Sequence, residues 1–178
     1  MLSYHNDENV KKKYQDRFAA HRAADQVIQG TGFEPASGRG CFVGCTLDNY
    51  NHSRFPVELG WPEWLARLAD ALFEGIPKEE APQFGTDLLA AVPVGVDLEP
   101  VRHMLAIVRH KRQLARLEGN AEPYADKCRL ALMEVITYCQ NMVNAAYKDE
   151  SAESAAESAR TTEMQQQRDD LLTILRSL

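Results

Sequence analysis

The sequence lacks the long apolar runs that a membrane span requires. Uncharged apolar stretches such as Gly40 to Leu47 and Leu88 to Val96 are far shorter than the ~20 apolar residues that cross a bilayer. The N-terminal residues Met1 to Asp16 are polar and contain no apolar segment of the kind that directs export. We therefore expect a cytoplasmic protein that makes no membrane contact.

An excess of basic residues is also missing. The chain has 20 Lys and Arg residues against 26 Asp and Glu residues, which gives a net charge of -6. Because proteins that bind nucleic acid need a basic face to neutralise phosphates, nucleic acid is not expected as a partner. An acidic protein is suited to a partner with a basic surface. The only locally basic segment is Arg102 to Arg116.

Common catalytic motifs are absent too. The sequence contains no phosphate-binding P-loop, no dinucleotide-binding glycine motif, no zinc-protease HExxH and no GxSxG nucleophile motif. In a chain without an export signal, its cysteines are expected to be reduced thiols rather than disulfides. No cofactor and no bound metal are expected.

What the sequence has in abundance is helical periodicity. Apolar residues recur every three or four positions, which predicts an all-α fold of about six or seven helices in a single-domain bundle. The predicted helices are Glu8–Gly30, Trp61–Gly75, Lys78–Val92, Asp97–Glu118 and Glu122–Lys148. Residues 1–148 form the predicted helical core domain. Residues 149–160 are an Ala/Ser/Glu-rich helical extension or linker, and 161–178 an amphipathic helix that packs back on the core.

The segments between these helices are less regular. Thr31–Arg39 and Asn51–Gly60 carry glycine, proline and polar residues, which indicates loops. Gly40–Asn49 is short and apolar and fits either a buried helix or a strand. We favour a helix, because no partner strand is visible elsewhere in the sequence.

His21 and Asp25 form the first candidate constellation. Residues four apart on a helix share a face, so the carboxylate would orient the imidazole. The functional interpretation is an oriented general base or a metal ligand. The structural interpretation, a polar pair that attaches a helix end to a loop, is favoured because buried polar groups need partners in any protein.

Cys41 and Cys45 form the second constellation. Within a helix the pair would be neighbours, and Gly40 and Gly44 would let another backbone approach closely. Three residues between cysteines is a spacing that zinc sites allow, with His21 and His52 as further ligands.

The same cysteines allow a hydrolase interpretation. Cys41, a histidine and Gln29 as oxyanion donor would outline a cysteine hydrolase. Packing of small buried thiols is the favoured interpretation. His52 and Glu58 lie in the following predicted loop, where they would either cap neighbouring helices or form part of a site.

These motifs resemble a family of uncharacterised helical proteins from bacteriophage and bacterial genomes. The resemblance rests on H-x3-D-x2-IQG from His21 to Gly30, GC-x-VGCT from Gly40 to Thr46, His52, and LGWP from Leu59 to Pro62. It is firmest from Tyr4 to Leu98. The chain departs from the family in lacking an aromatic pair after Gly30 and a histidine near Asp48, and both departures argue against a fixed metal set in this region. The family has no assigned activity, so the resemblance implies no catalytic residue.

The sequence therefore predicts a non-catalytic helical protein that binds a macromolecular partner, for example as a phage accessory or anti-defence protein. The expected partner is a protein with a basic surface, and helix-mediated homodimerisation is compatible with the amphipathic segments. The alternative is a small Cys/His-dependent enzyme or metal-binding protein built on His21, Asp25, Cys41, Cys45 and His52.

Overall fold

The computed structural model describes residues 1–119, 122 and 124–147. This part of the chain is predominantly helical, as predicted, with seven α-helices and one two-stranded sheet. The α-helices are α1 (Glu8–Ala23), α2 (Phe42–Leu47), α3 (Phe55–Leu59), α4 (Glu63–Gly75), α5 (Ala81–Ala91), α6 (Val101–Arg116) and α7 (Ala125–Ala146). No helix in the described ranges combines the length and the apolar character needed to cross a membrane.

The described residues divide into two compact units. The first contains Met1–Leu98, and the second contains the described part of Glu99–Arg168. The sequence predicted one core domain over 1–148, and the described part of that range holds both units. The predicted linker at 149–160 and the predicted terminal helix at 161–178 lie outside the described residues.

The core of the first unit is built from aromatic rings. Phe18, Phe42, Phe55 and Trp61 are each exposed by 1% or less of their surface. Their rings form a continuous chain with centroid separations of 5.7, 6.1 and 5.8 Å, and Tyr4 meets Trp61 edge-on at 5.7 Å. Contacts at these distances add to the free energy gained by burying large apolar surfaces.

Helix α1 ends earlier than the sequence predicts. It stops at Ala23, and Asp25 adopts a left-handed conformation with φ of 54°, so the prediction of a helix to Gly30 is wrong. The backbone after Asp25 instead pairs with Gly40. Gly40 N donates to Gln26 O and Ile28 N donates to Gly40 O, both at 2.9 Å. Hydrogen bonds to this distant segment replace the local helical ones.

The predicted loop before α2 contains a small antiparallel hairpin, β1 (Phe33–Glu34) and β2 (Arg39–Gly40). The expectation of no strand is therefore wrong at this place, although helix α2 confirms the favoured interpretation of Gly40–Asn49. Gly44 allows the close packing here, since a Cβ on it would lie 2.0 Å from the carbonyl oxygen of Gly32. The predicted role of the glycines in close backbone approach is thus seen directly.

The predicted loop at Asn51–Gly60 is also helical. A 3-10 turn at His52–Arg54 leads into α3, in which Phe55 and Leu59 are fully buried. Pro56 lies in the first turn, where its missing N–H has no helical partner to lose. The proline that indicated a loop is here a helix-starting residue.

The N-terminal turn is held in an unusual conformation. Tyr4, His5 and Asn6 have φ values of 52°, 52° and 59°, in the left-handed region. Contacts from far along the chain compensate for this strain. Ser3 N donates to Val96 O at 2.9 Å, and the buried Tyr4 hydroxyl donates to Leu89 O at 2.8 Å. Such strain persists where surrounding contacts determine the conformation.

The second unit contains α6 and α7, which pack antiparallel. Met104 and Ile107 of α6 are buried against Cys139 and Val143 of α7. Arg129, near the start of α7, donates to Leu117 O beyond the end of α6 at 2.6 Å. This core is small and contains no fully buried aromatic ring among the described residues.

Candidate functional site

The predicted pair of His21 and Asp25 does not form. Asp25 lies beyond the end of α1 and is exposed, whereas His21 Nδ1 contacts Gln26 Oε1 at 2.8 Å and Nε2 contacts Asp48 Oδ1 at 2.7 Å. Arg17 completes the arrangement with an ion pair to Asp48. Both nitrogens of His21 are engaged, so the residue attaches the end of α1 to the segment after α2 and leaves no nitrogen for a metal or a substrate.

Gln29 also has a structural partner. Its Nε2 donates to the carbonyl oxygens of Phe73 and Ile76, at 2.6 and 2.8 Å. These are carbonyls at the end of α4, where backbone acceptors lack helical partners. Both amide hydrogens are thereby used, and neither is available as the predicted oxyanion donor.

Glu58 is placed in a polar contact with α1. Its Oε2 accepts a hydrogen bond from the Tyr14 hydroxyl at 2.5 Å, and its Oε1 forms an ion pair with Arg54. Burial and the hydrogen bond to Glu58 raise the pKa of Tyr14. Glu58 thus links α3 to the middle of α1 through side chains, so neither the predicted capping of a helix end nor a place in a site is seen.

The two cysteines of α2 have different surroundings although both are buried. The Cys45 thiol donates to Gly40 O, with Sγ 3.2 Å from the oxygen, and burial raises its pKa to about 12. Cys45 is thus a packed, protonated thiol. Cys41, at the start of α2, instead faces the acidic side chains of α4.

We call the group of Cys41, Asp70 and Glu74 the thiol–carboxylate cluster. Its three potential ligand atoms, the sulfur and one oxygen from each carboxylate, lie within 4.8 Å of one another. Cys41 and Asp70 are buried, while Glu74 is exposed at the edge of the cluster. Asp70 and Glu74 are one helical turn apart on α4, so one rigid helix positions both carboxylates.

Asp70 is anchored on one side only. Its Oδ2 accepts a hydrogen bond from the Tyr50 hydroxyl at 3.1 Å and contacts His52 Nε2 at 2.9 Å. Its Oδ1 is buried and has no nitrogen or oxygen donor among the described residues, which leaves the adjacent Cys41 thiol as the remaining hydrogen-bond donor to this carboxylate. The Asp70 side chain is only 10% exposed. A buried carboxylate whose remaining donor is a weakly donating thiol is costly and needs an explanation.

The cluster is strongly acidic for a buried location. Burial raises the pKa of the Cys41 thiol well above its usual range, and the neighbouring Asp70 carboxylate raises it further. Burial and Asp70 likewise raise the pKa of Tyr50. Glu74 is fixed from outside, because its Oε2 accepts the backbone N–H of Gly30 at 2.8 Å.

The sequence analysis identified Cys41 and His52 but missed Tyr50, Asp70 and Glu74. One signal was available: Asp70 lies within the apolar stripe of α4, between Leu65 and Phe73, where a charged residue is out of place. The structure brings His52 to Asp70. It brings His21 to Asp48 instead, and leaves Asp25, Cys45 and Glu58 outside the cluster.

Comparison with known proteins does not assign the chain to a family. Neither the models of known families, nor the characterised proteins, nor the solved structures contain a match to this chain. The resemblance to a bacteriophage-associated family therefore stays a prediction. Any function has to be argued from the cluster and from the surface of the molecule.

Proposed function

We propose that the protein binds a divalent transition metal, with Zn²⁺ as the preferred ion, at the thiol–carboxylate cluster. The observation that supports this is the buried Asp70 carboxylate, whose Oδ1 has no donor stronger than the adjacent Cys41 thiol and which lies beside a second carboxylate. A cation held there would compensate the buried charge. This proposal replaces the expectation of no metal and revises the predicted ligand set.

The donor set favours Zn²⁺ over the hard cations. Ca²⁺ and Mg²⁺ take oxygen ligands, whereas a thiolate selects zinc and similar softer metals. Zinc binds sulfur at about 2.3 Å and carboxylate oxygen at about 2.0–2.2 Å, so the three donors must close by roughly 1 Å around the ion. Closing on the ion would require the exposed Glu74 side chain to release or share the hydrogen bond that its Oε2 accepts from Gly30 N.

Tyr50 and His52 suit the role of outer partners. Both contact Oδ2 of Asp70, which fixes the orientation of the carboxylate beside Cys41 and Glu74. Ligands held in this way bind metals more tightly, and loss of such a partner typically weakens affinity by about 10- to 100-fold. With three protein ligands, a zinc site has its fourth position open to water.

A cysteine hydrolase has less support. The charged group beside the Cys41 thiol is the Asp70 carboxylate, which opposes ionisation of the thiol. The imidazole of His52 is hydrogen-bonded to Oδ2 of that carboxylate. A nucleophilic cysteine needs an adjacent base or a positive environment, and this geometry supplies neither.

Titration of the full chain with Co²⁺ tests the proposal, because a cobalt–thiolate bond produces a charge-transfer absorption in the near ultraviolet. We expect one ion per chain with this band, displaced by a stoichiometric amount of Zn²⁺. Cys41→Ala should remove the band, and Asp70→Asn should weaken binding strongly. Zinc at 100 times its dissociation constant should stabilise the fold by about 2.7 kcal/mol.

The matched controls are Cys45→Ala, which removes the other thiol of α2, and Glu63→Gln, which removes a carboxylate on α4 outside the cluster. Both should bind Co²⁺ as the parent does. A folded parent that gives no thiolate band, or a band that depends on Cys45 instead of Cys41, would contradict the proposal. The test does not bear on the predicted protein partner, which would bind elsewhere on the molecule.

A further inference from the structure

An apolar stripe lies along one exposed side of α7, and the exposed side chains of Leu130 and Met133 lie outside it. Four of its larger side chains are substantially exposed: Tyr124 by 55%, Val135 by 40%, Tyr138 by 59% and Met142 by 37%. Exposed small residues occupy the positions between them. The complete stripe, in order, is Tyr124, Cys128, Ala131, Val135, Tyr138, Met142 and Ala145.

The spacing along the stripe alternates between four and three residues over its whole length. This is the heptad spacing of helices that pair along a seam, and none of the positions carries a charge. The neighbouring face of α7, with Cys139 and Val143, is already packed against α6. At the border between the two faces, Tyr138 meets the ring of His103 of α6 edge-on at 6.2 Å. No partner is seen for the rest of the stripe among the described residues.

The stripe is complementary in side-chain size to a second copy of itself that runs in the opposite direction. The small residues Cys128 and Ala131 precede Val135, and the large residues Tyr138 and Met142 follow it. Tyr124 at one end corresponds to Ala145 at the other. Turned end to end, a second α7 would therefore place large side chains against small ones, which is how well-packed cores interdigitate.

We propose that the stripe on α7 is a homodimer interface in which α7 packs antiparallel to α7 of a second copy, with the two-fold axis near Val135. A two-fold interface uses the same patch on both copies, and the reversed size order of this patch meets that condition. With α6 packed on the neighbouring face of each α7, the assembly is a four-helix bundle. This inference is independent of the metal site.

The oligomeric state of the full chain tests the proposal. We expect sedimentation equilibrium to show a reversible dimer, and Tyr138→Glu to raise its dissociation constant at least 100-fold by burying a charge in the seam. Thr137→Glu is the matched control, because it adds the same charge to the adjacent exposed position of α7 outside the stripe. It should dimerise like the parent, and circular dichroism should show that both variants are folded.

Cross-linking tests the orientation. Cys128 lies seven residues from Val135, so antiparallel packing keeps the two Cys128 side chains about 20 Å apart at 1.5 Å rise per residue. That separation is far beyond disulfide reach. We therefore expect no disulfide-linked dimer of the parent under mild oxidation, and rapid linkage of the double variant Cys128→Ser, Val135→Cys.

Three outcomes would overturn the proposal. The first is a chain that remains monomeric at every concentration, as it would if its own residues beyond 147 covered the stripe. The second is equal weakening of the dimer by Tyr138→Glu and Thr137→Glu. The third is ready disulfide formation through Cys128 in the parent, which requires parallel helices.

Discussion

The two units of the protein differ in how completely they bury their apolar residues. In residues 1–98, Phe42, Phe55 and Trp61 are fully enclosed. In the α6–α7 unit, the buried core consists of aliphatic and sulfur-containing side chains without an aromatic ring, while Tyr138 and Met142 remain exposed. The first unit therefore buries enough apolar surface for a stable core by itself. The second unit buries little and keeps large apolar side chains exposed, as expected of two helices that pack against further helices.

The same difference separates the two proposals. A metal site requires ligands held to within a fraction of an ångström, and the enclosed unit supplies rigid elements for Cys41 and Asp70. An association surface requires exposed apolar area, and α7 supplies it. Each proposed role thus lies in the unit whose packing suits it.

The largest expected effect comes from breaking the enclosed core. Phe55→Ala removes a ring that contacts both Phe42 and Trp61 and should destabilise the protein by about 3–5 kcal/mol. Met142→Ala removes an exposed side chain and should change the stability of the monomer by less than about 0.5 kcal/mol. Urea unfolding at low protein concentration measures both, and similar losses would show that the two units do not differ as described.

A smaller effect is expected from the glycines of the first unit. Gly44→Ala should cost about 1–3 kcal/mol, because the added Cβ would overlap the carbonyl of Gly32. Gly75→Ala meets nothing within 4 Å and lies in α4, so it should be neutral or slightly stabilising. Thermal unfolding of the two variants gives the comparison. A neutral Gly44→Ala would contradict the close approach of the α2 backbone to Gly32.

A loss of about 1 kcal/mol is expected from Tyr14→Phe, which removes the hydrogen bond to Glu58 but keeps the ring. Tyr138→Phe is the control in the second unit, where the tyrosine is exposed and the hydroxyl should contribute little. Equal effects in chemical unfolding would contradict the structural role assigned to Glu58.

Thiol labelling of the native protein compares the two units without changing the sequence, and it is expected to perturb the fold least. At pH 8 an alkylating reagent should modify the exposed Cys128 quickly and Cys45 hardly at all, since burial raises the pKa of Cys45 to about 12. Mass spectrometry of the native protein measures this difference. Fast labelling of Cys45 at neutral pH would show that α2 is not enclosed.

The raised pKa of Cys45 also sets a pH dependence. An unfolded thiol ionises near pH 8.5, whereas the folded one remains protonated to about pH 12. The stability that the protonated thiol contributes is therefore complete below pH 8.5 and is lost as pH rises toward 12. Cys45→Ala should reduce the loss of stability across that range.

The helix interiors were predictable because apolar spacing is a local property. The end of α1 was not, since Gln26 and Ile28 leave the helix to pair with Gly40, more than ten residues away. The four-residue spacing does not place His21 and Asp25 on one helix face, because the helix ends between them. Local patterns do not contain such competing partners.

The candidate site was predictable in part for the same reason. Cys41 and His52 were visible as reactive residue types in unusual positions. Their connection through Asp70 was not predictable, because Asp70 belongs to α4 and meets Cys41 and His52 only through tertiary contacts. The size order on α7 is fully contained in the sequence, but only the structure distinguishes its exposed face from the face packed on α6.

The left-handed turn at Tyr4–Asn6 has a consequence for the order in which the chain folds. Its compensating contacts are with Leu89, Pro93 and Val96, about ninety positions later. At a synthesis rate of roughly 5–20 residues per second, the turn waits some 5–20 s for these partners to leave the ribosome. The residues of this turn thus reach their final contacts only after Val96 has been made, late in the folding of the first unit.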